Sequence, residues 1–296
     1  MPDGGHFNQA TITAAIKVGN VSTDQLHDSC LRIMRGWYTL PEAKRMPCGG
    51  GVCINNNVST PAHKQLARKI SAMSTVLLKN EGGLLPLGVG HGQTPLMKIA
   101  LIGSDAKTPY TAGSGSGGVP DSNVAVSPID AFNRVPHAEV TYEPGLSVAA
   151  AVKAAAAADV AIVFASAHSG EGRDRTDLLL VRPKGGAGSM EDIIAAVGNA
   201  QQKTIVVAAV PGQILTDWRD DVAAILVPFL PGEQYGNAIA DIIFGEVAPQ
   251  AKTPVSFPNI DNEQGMTLDQ WPGKNSTEFP GHKEATYSEG QIVGYR

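Results

Sequence analysis

One short, charged loop contains the residues best suited to chemistry. Segment 166–178 reads SAHSGEGRDRTDL and holds five charged residues within positions 171–177. Glu171 stands between Gly170 and Gly172, and a carboxylate flanked by glycines can project into a cleft without backbone crowding. A positioned carboxyl group can donate and remove protons during catalysis. We therefore take Glu171 as the candidate general acid/base.

The charged residues that follow are expected to shape this loop. Arg173, Asp174 and Arg175 can pair and so fix its conformation. A structural alternative stays open, because the same charges could form a surface salt-bridge loop without a catalytic role. His168 and Ser169 are substrate-binding candidates. His168 could also orient a carboxylate, although a lone loop histidine is more often solvated or structurally bonded.

A glycine-rich segment forms a second candidate loop. Residues 113–118 read GSGSGG and formally match the dinucleotide-binding pattern G-x-G-x-x-G. Such a site needs the glycines to lead a strand directly into a helix, so that the helix amino end meets the pyrophosphate. Here ten residues separate the glycines from the preceding apolar run 99–102, and the glycines are followed by VPDSN rather than by a helix. We interpret the segment as a substrate-lining loop, with Ser114 and Ser116 as substrate-binding candidates.

The remaining sequence argues against several other functions. It has no His-Glu-x-x-His, no Cys/His cluster with metal spacing and no G-x-S-x-G, so neither a metal nor a cofactor is expected. The net charge is −5, from 28 acidic and 23 basic residues, with no basic run that would suit nucleic acid or an anionic membrane. No apolar stretch approaches the ~20 residues of a membrane helix.

Short apolar runs alternate with helical segments through the middle of the chain. Runs typical of strands buried on both faces are 76–78, 99–102, 160–164, 205–208 and 224–227. Helices are expected at 146–158, 189–202 and 233–244. The sequence predicts an α/β fold, a three-layer α/β/α sandwich with a mostly parallel sheet preceded by a helical segment. Both candidate loops follow predicted strands, where ligands bind in such sheets.

Helix signals before this region define its amino-terminal boundary. A first helix is expected over 7–18, and Ser22 with Gln25 forms a capping box for a second. Thr60-Pro61 opens a third. We predict a helical segment and linker at 1–59, the sandwich domain at 60–258 and an extended linker at 259–296.

Cysteines and glycosylation patterns bear on the cellular compartment. Cys48 and Cys53 bracket a glycine-rich segment that could close a disulfide loop, and two free thiols are an equal alternative. Asn20, Asn57 and Asn275 each begin an N-x-Ser/Thr acceptor pattern. Although residues 1–5 do not resemble a signal peptide, these patterns favour a secreted, extracellular protein.

Several segments stand in an order that is typical of one known family. They are STVLLKNE with LPL (74–87), KIALIG (98–103), SGEG with DR and three leucines (169–180), LPGEQ, NAIAD and FG (230–245), and PVSFP (254–258). In this order they resemble the carboxyl-terminal portion of glycoside hydrolase family 3, the β-glucosidase family. Ordered matches at several places are more specific than any single motif.

The resemblance implies a double-displacement mechanism in which Glu171 is the acid/base. The nucleophilic aspartate of the family lies in an (α/β)8 barrel that precedes the matching region. This chain begins with a segment similar to the one just after the barrel. It ends where a fibronectin type III-like domain normally starts, so we expect a fragment or a truncated gene model that is inactive alone.

The resemblance also implies the substrate class and the partners. Hydrolysis of terminal, non-reducing β-D-glucosyl residues from β-linked glucosides or oligosaccharides is expected, with the barrel as partner domain. A β-xylosidase is an alternative, because the sugar-selecting residues lie largely in the barrel. From a different class, a non-catalytic carbohydrate-binding or interaction protein would also be compatible with loss of the barrel.

Overall fold

The structure, a computed structural model, describes residues 5, 7–39, 58–88, 96–119, 125–182 and 184–291. The chain divides into two units, residues 1–58 and 59–296. Cys48, Cys53 and Asn57 lie outside the described residues, so the disulfide and one glycosylation pattern stay predictions. The finer division at residues 258 and 259 also stays a prediction.

The first unit contains two helices, α1 (Gln9–Lys17) and α2 (Thr23–Thr39). Helix α1 begins later than expected because the side chain of Asn8 caps it, accepting from the Thr11 N–H at 3.0 Å. The capping box before α2 forms as expected: the Gln25 N–H donates to Ser22 Oγ at 3.0 Å, and the Ser22 N–H donates to Gln25 Oε1 at 2.8 Å.

The second unit alternates helices and strands. Its elements in chain order are α3 (Pro61–Ser74), β1 (Val76–Asn80), β2 (Met97–Ile102), α4 (Pro128–Phe132), β3 (Ala138–Glu143), α5 (Val148–Ala156), β4 (Val160–Ser166), α6 (Met190–Ala200), β5 (Thr204–Ala209), β6 (Ala224–Val227), α7 (Tyr235–Ile243), β7 (Lys274–Asn275) and β8 (Lys283–Glu284). The capping box at Thr60 and the proline after it begin α3 as expected.

Strands β1 to β6 form one sheet in the order β1-β6-β5-β4-β2-β3. All neighbours are parallel except β1, which runs antiparallel to β6. From β2 the chain moves outward to β3 and then returns to β4 on the other side of β2. In a parallel sheet a crevice opens beyond the carboxyl ends of two such strands. The loops that follow β2 and β4 are therefore placed side by side.

Helices cover both faces of this sheet and give the expected three-layer sandwich. Helices α3, α4 and α7 contribute to one core, together with Ile99 and Leu101 of β2. Helices α5 and α6 contribute to the other, together with Ala100 and Ile102 of the same strand. Successive residues of β2 thus face opposite cores, which explains why it reads as a continuous apolar run.

Four elements have no counterpart in the sequence-based expectation. Strand β3 lies at the sheet edge with alternating, partly exposed residues, so it lacks the apolar run of a strand buried on both faces. Helix α4 has five residues, too few for a clear helical period. Strands β7 and β8 form a small antiparallel pair within the polar tail. None of the described helices combines the length and apolar character needed to cross a membrane.

Candidate functional site

The two candidate loops meet beyond β2 and β4. A parallel β-bridge joins Ser114 to Gly170, and the Glu171 N–H donates to the Ser114 carbonyl oxygen at 3.3 Å. Neighbouring strands bring their following loops to the same edge of a sheet. The structure therefore places Glu171 beside Ser114 and Ser116, although it lies more than fifty residues after them in the chain.

Glycines make this close approach feasible. A Cβ atom at Gly170 would lie 1.7 Å from Ser114 Oγ, and one at Gly115 would lie 2.6 Å from Glu171 Cβ. Gly115 also has φ +75°, a conformation that side chains with a Cβ rarely adopt. The glycines thus let the two loops pack backbone to backbone at the candidate acid/base.

The Glu171 side chain is exposed and is held by the neighbouring loop. The Ser116 N–H donates to Glu171 Oε2 at 2.6 Å from the 3-10 turn Gly115–Gly117. Hydrogen bonds from the side chain and backbone of Ser116 lower the pKa of Glu171, because both stabilise the charged carboxylate. In this structure Glu171 is therefore held in its ionised form, whereas a general acid must carry a proton and needs a raised pKa.

The expected pairing of Arg173, Asp174 and Arg175 is not observed. Among the described residues these side chains form no ion pair, with one another or with Glu171. Reciprocal backbone hydrogen bonds of 3.1 and 3.0 Å between Gly170 and Arg173 close the turn instead, and the Arg175 guanidinium donates to a more distant carbonyl, that of Gln213, at 2.8 Å. Backbone closure thus replaces charge pairing in setting the loop's shape.

An aromatic contact supports the segment that precedes Glu171. The Tyr110 ring stacks on the His168 imidazole, with 4.0 Å between ring centroids and 23° between planes. The Tyr110 hydroxyl donates to the Ser169 carbonyl oxygen at 2.9 Å. His168 Nε2 lies 3.0 Å from the hydroxyl of Ser166, the last residue of β4. Partial burial of the imidazole lowers the pKa of His168, which keeps the ring neutral at neutral pH.

A buried carboxylate completes this network. Asp105 lies in the 3-10 turn Ser104–Ala106, directly after β2, and is 7% exposed. Its Oδ1 accepts from the Tyr110 N–H at 3.3 Å. Burial raises the pKa of Asp105 to about 6, although the Ser166 hydroxyl and the backbone N–H groups of Tyr110 and Asp105 favour the charged form.

Sequence reasoning missed Asp105, Tyr110 and Ser166. The available signal was their position, since Asp105 follows one central strand and Ser166 ends its neighbour. A search limited to dense charge or glycine patterns passes over single polar residues of this kind. Among the described residues, no group of three or more His, Cys, Asp and Glu side chains could hold a metal ion.

Two of the known proteins that this chain resembles match it at the same level of identity. The chain is 30% identical over 315 residues to thermostable beta-glucosidase B of Acetivibrio thermocellus, an alignment that covers 100% of this chain and 37% of that protein. It is 30% identical over 310 residues to an exo-alpha-(1->6)-L-arabinopyranosidase of Bifidobacterium breve, covering 98% of this chain and 38% of the relative. The chain thus spans well under half the length of these enzymes.

Solved structures show the same partial coverage. Beta-glucosidase D2-BGL of Chaetomella raphigera superposes with a TM-score of 0.76 at 28% identity, covering 97% of this chain and 41% of that one. The beta-D-glucoside glucohydrolase of Trichoderma reesei gives 0.75 at 27% identity, with 97% and 41% covered. Residues 75–295 match the glycosyl hydrolase family 3 C-terminal domain. The chain therefore belongs to glycosyl hydrolase family 3 and contains its carboxyl-terminal α/β domain.

Proposed function

We propose that this chain supplies the general acid/base, Glu171, of a retaining glycoside hydrolase that releases terminal, non-reducing β-D-glucosyl residues. The observation that carries the proposal is the placement of an exposed carboxylate where the loops after β2 and β4 meet, at the crevice of the sheet. Relatives named β-glucosidases support the reaction class. The nucleophilic aspartate would lie in a barrel domain outside this sequence.

The proposed reaction has two steps. In the first, the aspartate attacks the anomeric carbon while Glu171 protonates the departing glycosidic oxygen, leaving a covalent glycosyl-enzyme. In the second, Glu171 removes a proton from water, which attacks the same carbon and releases both the sugar and the aspartate. Each turnover returns Glu171 to its protonated state, so one carboxyl group acts first as an acid and then as a base.

Protonation of Glu171 would depend on the partner domain. In this chain the Ser116 hydrogen bonds lower the pKa of Glu171, which opposes the first step. A retaining enzyme holds its two carboxyl groups about 5 to 5.5 Å apart. A second carboxylate at that distance, and burial beneath the barrel, would both raise the pKa of Glu171. We therefore expect acid catalysis only in the longer protein, where Glu171 moves away from the Ser116 N–H.

The comparisons support the reaction class better than they support the choice of sugar. Relatives with different named activities, a β-glucosidase and an α-L-arabinopyranosidase, match this chain at the same identity. The matching portion is thus compatible with more than one sugar. Aryl glycosides of glucose, xylose and arabinose, compared by kcat/KM on the longer protein, would separate the β-glucosidase proposal from a β-xylosidase.

Secretion of the intact protein is also proposed. Asn20 and Asn275, which begin two of the acceptor patterns, are both exposed. A mass decrease after enzymatic removal of N-glycans from the protein isolated from its source would support this. The same mass before and after treatment would leave the acceptor patterns as chance matches.

Glu171→Gln in the longer enzyme tests the acid/base assignment. The change keeps the side-chain shape and removes proton donation and abstraction, steps worth roughly 100- to 10,000-fold each. A dinitrophenyl β-glucoside needs little protonation of its leaving group, so the glycosyl-enzyme should accumulate. Azide needs no deprotonation and should restore turnover by forming the β-glycosyl azide.

Asp174→Asn is the matched comparison, since it neutralises an exposed carboxylate three residues away. It should retain near-normal activity and gain nothing from azide. Azide rescue of Asp174→Asn, or the absence of both rate loss and rescue in Glu171→Gln, would move the acid/base away from Glu171. The next residue to test would then be Asp174 itself or Glu191.

A further inference from the structure

The loop that carries Glu171 depends on contacts with other segments for its shape. Glycines stand on both sides of Glu171, and glycine restricts the backbone less than any other residue. The loop therefore does not hold the carboxylate in one place by its own conformational preferences. Its exit is restrained by the Arg175 guanidinium, which donates to the Gln213 carbonyl oxygen at 2.8 Å. Its entrance, at Ser169, needs a restraint of the same kind.

Tyr110, from the loop after β2, supplies the restraint at the entrance. Its hydroxyl donates to the Ser169 carbonyl oxygen at 2.9 Å and accepts from the Ser169 N–H at 3.4 Å. A phenol hydroxyl can both donate and accept, so the two bonds are compatible. One oxygen atom thereby holds the peptide groups on both sides of the Ser169 α-carbon. Among the described residues, no other side chain hydrogen-bonds to the backbone of Ser169 or Gly170.

Tyr110 is itself held at its backbone and at its ring. Its N–H donates to Asp105 Oδ1 at 3.3 Å, in the turn directly after β2. Its ring stacks on the His168 imidazole with 4.0 Å between centroids, and Nε2 of that imidazole lies 3.0 Å from the hydroxyl of Ser166, the last residue of β4. Tyr110 therefore connects the ends of two central strands to the entrance of the Glu171 loop.

We infer that Tyr110 is a positioning residue for Glu171, acting through its hydroxyl on the backbone of Ser169. Only Gly170 separates Ser169 from Glu171, so a change in the direction of the Ser169 carbonyl changes where the carboxylate lies. The bond from the Ser116 N–H to Glu171 Oε2, at 2.6 Å, requires the carboxylate to be in this place. The importance of the positioning for catalysis rests on the proposed function, but the positioning itself does not.

Amide hydrogen exchange of the 296-residue chain, followed by NMR, tests the inference without substrate. Tyr110→Phe removes the hydroxyl and keeps the ring that stacks on His168. The Ser116 N–H, which reports the place of the Glu171 carboxylate from the other loop, should then exchange roughly fivefold faster, the change expected from the loss of one net hydrogen bond. An unchanged exchange rate at Ser116 overturns the inference.

Ile205→Val supplies the matched control for overall stability. Ile205 lies in the central strand β5 and is fully buried, so loss of its methyl group destabilises the whole domain by an amount similar to the loss of one hydrogen bond. This control should accelerate exchange in the buried strands and leave Ser116 unchanged, because loops open locally. Equal acceleration of Ser116 in Ile205→Val and Tyr110→Phe would mean that the effect reports overall stability, and overturns the inference.

In the longer enzyme, Tyr110→Phe should impair the step that uses Glu171 as an acid. For a phenyl β-glucoside, whose leaving group needs protonation, kcat/KM should fall by roughly 10-fold, and for a dinitrophenyl β-glucoside by much less. Equal losses for the two substrates would place the effect on substrate binding and overturn the inference. The exchange result does not depend on activity, so its failure is distinguishable from failure of Glu171→Gln to respond to azide.

Discussion

Asp105→Asn should increase the stability of the chain, by an amount that depends on pH. Burial raises the pKa of Asp105 from 3.8 to about 6 in the folded state. The folded protein therefore binds more protons than the unfolded chain between these two values, so the stability linked to Asp105 falls as pH rises through this window. It is fully present below pH 3.8 and lost above about pH 6.

The magnitude follows from the size of the shift. One pKa unit corresponds to about 1.4 kcal/mol, so the ionised Asp105 costs about 3 kcal/mol of unfolding free energy at pH 7.5. An amide at this position carries no charge to desolvate. The variant should then gain about 3 kcal/mol relative to wild type between pH 3.5 and 7.5, on top of a constant offset of about 1 kcal/mol for altered hydrogen bonds.

Urea unfolding of both proteins at half-unit pH steps, followed by tryptophan fluorescence, measures this difference. Trp218 is buried in the sandwich domain and reports its unfolding. Asp174→Asn is the control, since removal of an exposed carboxylate should change stability by less than about 0.5 kcal/mol at every pH. A difference for Asp105→Asn that is flat with pH, or that declines as pH rises, would refute the reasoning from burial.

Three further outcomes are expected. The purified chain should not hydrolyse an aryl β-glucoside, since removing a nucleophile removes most of the gain from covalent catalysis; turnover that co-purifies with the chain would contradict this. Gly170→Ala in the longer enzyme should lower kcat/KM by roughly 10- to 100-fold, because the new Cβ displaces the acid/base loop, and adding Ser114→Gly should recover part of the loss; equal kcat/KM in the single and double variants would speak against the clash. In secreted material, Cys48 and Cys53 should form a disulfide, seen as a mass change on reduction and alkylation; two reactive thiols without reductant would disprove it.

Most strands of the sheet could be predicted from the sequence, because strands that are buried on both faces consist of apolar residues. Strands β2, β4, β5 and β6 are buried on both faces, and each therefore contains an apolar run long enough to recognise. Edge strand β3 alternates between buried and exposed environments and carries no such run. N-cap residues such as Thr60 before α3 predicted helix starts accurately, because the capping hydrogen bond forms between residues close in sequence.

The sequence predicted which loops form the site, but not the contacts between them. Ser114 and Glu171 meet because their loops follow neighbouring parallel strands, whose carboxyl ends lie at the same edge of the sheet. The Ser116 N–H bond to Glu171 depends on the 3-10 turn that the glycines adopt, which composition does not specify. Charge pairing within RDR was expected from proximity in sequence, yet reciprocal backbone bonds and the Gln213 carbonyl provide the restraint.

The pKa values of Asp105 and Glu171 are shifted in opposite directions. Asp105 is buried and has a raised pKa, although the proposed mechanism gives it no proton to transfer. Glu171 is exposed with a lowered pKa, although the mechanism requires it to act as an acid. Glu171 would therefore need a different environment before it could act as the acid. On the proposed function, that environment is the second carboxylate and the burial supplied by the barrel, so the acid would be generated only upon assembly of the complete site.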